Sequence, residues 1–211
     1  MTIGSSIRSI AGPFERVICA LYRSFFINVP RCINQMAGYI PENAKVIDVG
    51  GGDGEVINHL LRRRPDIHVT MIDLRESIGL FLDPDARARV YLQPATSLSD
   101  YLSRMGTPAD TLLVCDVIHH VPEAGRLEFI QECCSLVKPG GNLIIKDIEP
   151  RGIISFLSKM ADRYITGDRH VTLVSSKDLA ELVRSQANVR SVREIISRRE
   201  RPNYALLFDF D

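Results

Sequence analysis

At 211 residues the chain has room for one well-packed domain and not for two. Its 26 basic and 26 acidic residues cancel, which argues against a nucleic-acid partner, because phosphate binding calls for a basic face. The longest apolar run near the start, Val17 to Pro30, is broken by Arg23 and Asn28 and is too short and polar to span a bilayer.

In chain order, residues 1–44 read as a helical leader and residues 45–211 as one alternating α/β domain. From Ser6 to Tyr39 apolar residues recur at helical spacing, and Pro13 and Pro30 divide the segment, so two helices are expected. Pro41-Glu42-Asn43 reads as a turn. Val46 to Val49 is a first strand, followed by glycines and a helix from Val56 to Arg64. Ile67 to Leu74 alternates as a second strand, with a short helix after it that exits through Leu80 to Asp85. Arg89 to Gln93 is a third strand, and Ser97 caps a helix that runs to Arg104. Thr111 to Cys115 is continuously apolar, as a strand buried on both faces would be. A helix from Glu123 to Val137 is expected to close on Lys138-Pro139-Gly140-Gly141, before a fifth strand from Asn142 to Ile148. Helices at Ile153 to Tyr164 and Lys177 to Gln186 precede an antiparallel pair, Val189 to Ser197 and Tyr204 to Phe210, with Arg198 to Arg201 at its turn. The alternation implies a doubly wound, mostly parallel sheet with right-handed crossovers. The five cysteines (Cys19, Cys32, Cys115, Cys133 and Cys134) lack CxxC spacing, and they are expected to be reduced thiols in a cytoplasmic protein with no metal site.

The strongest local signal is VIDVGGGDG, Val46 to Gly54, an apolar strand that enters four glycines and then opens a helix. Glycine allows tight turns and close approach of a ligand to the backbone, and the carboxyl end of a parallel strand is where such sheets bind cofactors. The dinucleotide pattern G-x-G-x-x-G fails, since a start at Gly50 reaches Glu55 in the third position and a start at Gly52 reaches Ile57. Asp48, just before the glycines, suits a ligand with a cationic end better than a pyrophosphate. Asp73 ends the second strand at roughly the twenty-residue distance where a carboxylate meets ribose hydroxyls.

The stretches VIDVGGGDGEV, MIDL, LLVCDVIHHVP and LVKPGGNLIIKDI resemble the successive motifs of class I S-adenosylmethionine (SAM)-dependent methyltransferases. Within that class they resemble the small-molecule, O-methyltransferase-like branch. The resemblance implies a Rossmann-like, seven-stranded sheet whose last strand is antiparallel. It implies that Asp48, Gly50, Gly52 and Gly54 shape a methionine pocket and that Asp73 takes the ribose; Leu74, Thr96 and Asp116, the last as a pocket wall, are further candidates for the cofactor site. S-adenosylhomocysteine would be the product. One departure stands out. Many relatives end the third strand in Gly-Asp, and that Asp meets adenine. Here the strand ends Gln93-Pro94-Ala95-Thr96, so adenine recognition falls to backbone groups, Thr96 or Ser97.

Methyl transfer requires alignment, and a base only if the acceptor keeps its proton. His119 and His120 follow the fourth strand at the ligand edge. On an extended segment they would point to opposite sides, and the resemblance places the base of O-methyltransferases at His119. A structural role for both is the open alternative. Lys146 and Asp147 end the fifth strand and read as a salt bridge. His170, in a loop, and the leader aromatics Tyr22 and Phe26 are candidates to bind acceptor, the leader acting either as a lid or as plain core. The expected function is methyl transfer to a small, aromatic or otherwise apolar acceptor, oxygen being the target atom. The alternatives are a catalytically silent protein of this fold and an enzyme of this fold with other chemistry. A monomer or homodimer is expected, without a transmembrane segment.

Overall fold

The computed structural model describes residues 29–105, 107–152, 171–196 and 203–211. The expected helices before Val29 and at Ile153 to Tyr164, the turn at Arg198 to Arg201, and Tyr22, Phe26, His170 and Cys19 lie outside them. The described elements are α1 (Val29–Ala37), β1 (Lys45–Val49), α2 (Glu55–Arg63), β2 (His68–Ile72), α3 (Pro84–Arg87), β3 (Val90–Gln93), α4 (Leu98–Met105), β4 (Ala109–Cys115), α5 (Arg126–Ser135), β5 (Val137–Ile148), α6 (Ser176–Gln186), β6 (Val189–Glu194) and β7 (Asn203–Phe210).

The strands form one seven-stranded sheet in the order β3-β2-β1-β4-β5-β7-β6. β1 lies parallel to β2 and β4, and the parallel run continues to β3 and β5. β7 runs antiparallel to both of its neighbours, as the resemblance implied. Strand order reverses between β1 and β4, so the crevice for a ligand lies at their carboxyl ends. Two apolar layers cover the sheet. On one face Leu98, Tyr101, Ile130, Cys133, Leu179 and Val183 of α4, α5 and α6 pack on Ile47, Leu112 and Ile145. On the other face Ile33 and Met36 of α1 and Ile57 and Leu60 of α2 pack on Val46, Met71 and Leu113.

The described end of the leader is thus part of the core; Asn142 donates to its Tyr39 carbonyl (3.0 Å), and one arginine binds it at three points. The Arg64 guanidinium donates to the carbonyls of Ala37 (2.9 Å), Ile40 (2.6 Å) and Pro41 (2.7 Å) while pairing with Asp66. It binds carbonyls at and just beyond the end of α1, the service a C-cap performs.

Three expectations of local structure are corrected. The helix after β2 is the single turn Pro84–Arg87, and Leu80 to Asp83 form a loop ahead of it instead of its exit; proline at the first helical position starts the turn late. The helix expected from Glu123 begins with a 3-10 turn, Glu123–Gly125, and the α-helix spans only Arg126–Ser135. Lys138 to Gly141 do not cap that helix. They belong to β5, whose pairing with β4 shifts between Ala109 and Thr111, and Gly140 takes φ 72° at that irregularity. Proline and glycine punctuate a sequence, so a strand that crosses them on a bulge is hidden from a pattern of alternation.

Candidate active site

The loop after β1 is built by glycine. Gly50, Gly52 and Gly54 adopt φ 69°, 59° and 90°, values that side-chain-bearing residues reach only with strain. Space is equally restrictive at Gly50, where a Cβ would stand 2.5 Å from Val117 Cγ2. The glycine loop therefore touches the turn that follows β4. Two further strands of chain clasp it. The Gly50 amide donates to Ile72 O (2.7 Å), and the amides of Gly79 and Phe81 donate to Gly52 O and Asp53 O, each at 2.8 Å. Asn58, buried on α2, holds this second clasp by donating to Phe81 O (2.6 Å) and accepting from the Asp83 amide (2.9 Å).

Asp73 stands at the end of β2, where the sequence placed it, but its carboxylate is already engaged. It accepts from the Gly52 amide (3.0 Å), and from the Arg75 amide (2.9 Å), Nε (3.3 Å) and Nη2 (3.1 Å). Burial raises this carboxyl, and the Arg75 and Gly52 donors outweigh burial, so it ends below its ordinary range. Arg75 Nη2 lies 2.8 Å from where a Gly52 Cβ would be, over the cradle, on a side chain 54% exposed that can swing away. Leu74 beside it is 75% exposed.

The loops after β2 and β3 are joined through their backbones: the Ala95 amide donates to Arg75 O (2.9 Å) and the Thr96 amide to Asp73 O (3.1 Å). Those two amides are therefore committed and do not stand ready for adenine, contrary to part of the expectation. The Thr96 hydroxyl donates to Pro94 O (2.9 Å) and keeps acceptor capacity. Ser97 is occupied as the cap of α4, accepting from the Asp100 amide (3.1 Å).

Asp48 is 1% exposed, and its Oδ2 has no hydrogen-bond partner. Burial, and then the neighbouring Asp73 charge, push its carboxyl up to about 8. A buried orphan carboxyl oxygen beneath a loop of glycines fits a ligand that brings an N–H donor, as the amino-acid end of SAM would.

Beyond β4 the chain turns at once. Asp116 has φ 58°, and Ile118–His120 form a 3-10 turn instead of the extended segment expected. The two imidazoles consequently do not point to opposite sides; their centroids are 4.1 Å apart, His119 buried and His120 exposed. Lys146 and Asp147, read as a pair with each other, instead serve two different partners. Lys146 Nζ donates to Asp116 Oδ1 (2.5 Å). Asp147 Oδ1 receives His119 Nδ1 (2.6 Å) and the Ile148 amide (2.6 Å), and Oδ2 receives the His119 amide (3.2 Å). Burial raises Asp147, and the charge and hydrogen bond of His119 outweigh it, leaving the carboxyl below its ordinary range. With Nδ1 donating to a carboxylate, the neutral form of the imidazole is the tautomer whose lone pair is on Nε2.

The turn is braced from behind. Arg126 donates to Val121 O (3.0 Å) and Thr172 O (2.5 Å), and the Thr172 amide donates to His119 O (3.0 Å). Asp116, His119 and Asp147 present ligand-type atoms within 4.8 Å of one another, and the Lys146 ammonium supplies the positive charge there. Asn58, Arg75, Arg126 and the role of Asp147 were not foreseen; only Asp147, at the ligand edge of β5, carried a signal in the sequence.

The sheet order, the glycine loop at the switch point and the adjoining His–Asp turn find a match in a family model. Residues 23–190 match the model of a methyltransferase domain. The chain belongs to that methyltransferase family. Among curated relatives, this methyltransferase domain is 26% identical over 151 residues to aclacinomycin 10-hydroxylase RdmB of Streptomyces purpurascens, covering 64% of the chain and 39% of the relative. It is 24% identical over 105 residues to the 3-hydroxy-5-methyl-1-naphthoate 3-O-methyltransferase of Streptomyces sahachiroi, covering 49% and 30%. The chain thus spans about a third of the length of these relatives. Among solved structures, the apo form of the SAM-dependent methyltransferase SibL superposes with a TM-score of 0.75 at 18% identity, over 99% of this chain and 62% of that one. The methyltransferase domain has the class I, Rossmann-like fold of these enzymes. Among its described residues no helix is long and apolar enough to cross a membrane.

Proposed function

We propose that this methyltransferase domain binds SAM at the Gly50–Gly54 loop and transfers its methyl group to a hydroxyl of a small, aromatic or otherwise apolar acceptor, with His119 as general base. The observation that carries this reading is the His119–Asp147 dyad, 2.6 Å between Nδ1 and Oδ1, on the turn that Val117 presses against Gly50. SAM supplies, when bound, an electrophilic methyl group on sulfur. The protein's own groups do the rest. Asp48 and the glycine loop receive the amino-acid end, Asp73 takes the ribose after Arg75 moves aside, and Leu74 and Thr96 border the adenine. Asp147 holds His119 by one bond to the ring Nδ1 and one to the backbone amide, and stabilises the imidazolium formed as Nε2 takes the acceptor's proton. Because His119 is 2% exposed, water is kept from the dyad and its electrostatics act at low dielectric. Asp116, held by Lys146, forms the wall beside the glycine loop. Tyr22, Phe26 and His170 remain candidates for the acceptor side, and the leader ahead of Val29 for a lid over it.

The O-methyltransferase name of one relative supports oxygen as the target. The hydroxylase name of another supports a second reading, an enzyme of the same fold with other chemistry. Calorimetry with SAM and S-adenosylhomocysteine, followed by a radiolabelled-methyl assay over hydroxylated aromatic acceptors, tests both. Binding with transfer of label to a hydroxyl is expected. Turnover of an acceptor without release of S-adenosylhomocysteine favours the second reading, and absence of binding refutes the first.

A further inference from the structure

Lys146, near the end of β5, is the one buried lysine among the described residues, at 2% exposed. Among those residues its Nζ has a single hydrogen-bond partner, Asp116 Oδ1 at 2.5 Å. Burial pulls this ammonium toward its neutral form, and the charge and hydrogen bond of Asp116 outweigh burial, so it stays charged. Replacing a buried ion pair by apolar side chains of similar volume is often neutral or stabilising, so the charge calls for a reason in the site. Asp116 supplies it. This residue takes φ 58° to start the turn that carries His119, a conformation that aspartate and asparagine tolerate better than other side chains with a Cβ. The consequence of an aspartate there is a second carboxylate beside the base: Asp116, His119 and Asp147 bring ligand-type atoms within 4.8 Å of one another. Two uncompensated carboxylates would hold a proton on the imidazole, and a base that already carries its proton cannot take one from an acceptor.

We propose that Lys146 is a positioning residue for the base: its ammonium offsets the Asp116 charge, so that the His119 imidazole answers to Asp147 alone and is free of a proton when the acceptor arrives. This rests on the reading of His119 as general base above. Lys146 acts through Asp116, and among the described residues it alone forms an ion pair with that carboxylate. The other described charged or titratable groups around the imidazole are engaged differently. His120 lies beside it on the same turn, 4.1 Å between centroids. Arg126 of α5 is committed to the carbonyls of Val121 and Thr172. Glu149, past the end of β5, accepts from the Ser176 amide. Tyr204 of β7 donates to Val174 O, and burial pushes its hydroxyl up, so it stays neutral. The balance beside His119 is therefore set by Asp116, Lys146 and Asp147. At the effective dielectric of a protein site, unit charges within about 10 Å of each other shift a titration by about one pH unit or more. The sign is fixed by the charge removed: without the ammonium, Asp116 favours the imidazolium and the midpoint of His119 rises.

The test is titration of the His119 imidazole by nitrogen-15 NMR on the full chain, its signal assigned by its loss in His119→Gln. Lys146→Gln keeps a hydrogen-bond donor toward Asp116 and removes the charge. Its His119 midpoint should rise by about one pH unit or more over the parent. Lys146→Arg, which keeps the charge, should titrate within about 0.3 pH unit of the parent. Lys146→Gln combined with Asp116→Asn removes both charges and should return the midpoint to the parent value or below it, and asparagine suits the left-handed turn at 116. The acid limb of methyl transfer should follow the midpoint, leaving Lys146→Gln about tenfold slower on that limb and restored at higher pH. If Lys146→Gln does not fold, Lys146→Met removes the same charge and reads the same rise. A midpoint within about 0.3 pH unit of the parent in the variant without the charge, or a rise that persists in the double variant, overturns the proposal and leaves the base reading intact. Failure of both single variants to fold overturns it too, since the lysine then serves the fold. A risen midpoint that the acid limb does not follow overturns the reading of His119 as base, and the proposal with it.

Discussion

Asp147→Asn separates the charge of the dyad from its shape. In the parent the buried carboxylate accepts three N–H groups, from His119 Nδ1, the His119 amide and the Ile148 amide. A carboxamide offers one acceptor oxygen. With that oxygen at the Oδ1 position, the NH2 group faces the His119 amide, donor against donor. Turned over, the NH2 donates to His119 Nδ1 and selects the tautomer with its proton on Nε2, which cannot take another proton from an acceptor. In the turned orientation the Ile148 amide is the backbone donor left unpaired in a fully buried place. Such a loss, with the charge removed, amounts to about 2–4 kcal/mol of stability, measurable by urea unfolding. The catalytic loss is expected to be about 10²–10⁴-fold in kcat, the share of a general base, with SAM affinity unchanged within about threefold. Single-turnover methyl transfer on the folded fraction reads it directly. His119→Ala should lose a similar factor, the double variant no more than the worse single one, and His120→Ala, at the exposed neighbour, less than tenfold by the same general-base comparison. A folded Asp147→Asn enzyme within about threefold of the parent in kcat would refute the dyad, as would losses that multiply in the double variant.

Asp73→Ala should weaken SAM by about 1–3 kcal/mol in calorimetry, since it removes the ribose acceptor and also the bond that holds the Gly52 amide; an unchanged affinity removes Asp73 from the site. Arg64→Met should cost about 2–4 kcal/mol in urea unfolding by leaving the Ile40 and Pro41 carbonyls without this donor and the Ala37 carbonyl with the Ile40 amide alone, and a loss under about 0.5 kcal/mol would show that water replaces it. Asp48→Asn should be more stable than the parent at pH 7 by about 4 kcal/mol and within about 0.5 kcal/mol of it near pH 4. The sign follows from the folded carboxyl lying at about 8, above an unfolded value of about 3.9. The folded state holds a proton that the unfolded state has lost, so the stability present below about 4 drains as pH rises toward 8. Parallel stability curves for the two proteins would show that Asp48 is ionised in the folded state.

The fold was legible because its signals are local. An apolar run at β1 broken only by Asp48, a continuous one at Thr111 to Cys115 of β4 and the glycine loop after β1 each announce a parallel strand or a crevice, and Ser97 announces a helix start that its hydroxyl then caps. What escaped depends on contacts distant in sequence or on backbone angles. Nothing near Lys146 and Asp147 says that one reaches Asp116 and the other His119, 28 residues away. The 3-10 turn at Ile118–His120 follows a left-handed Asp116, which composition does not foretell. Arg75 two residues past Asp73 is plain in the sequence, but only geometry shows it folding back on the carboxylate.

The approach of Val117 to Gly50 couples the histories of two positions. A branched residue at 117 is tolerable only while position 50 lacks a Cβ, which would stand 2.5 Å from Val117 Cγ2. A lineage that gains a side chain at 50 must first shrink 117, and that first step loosens the turn bearing His119 before any benefit arrives. The same constraint offers engineers a handle: small substitutions at 117 should shift the imidazole relative to the loop without touching either of the groups that meet ligand.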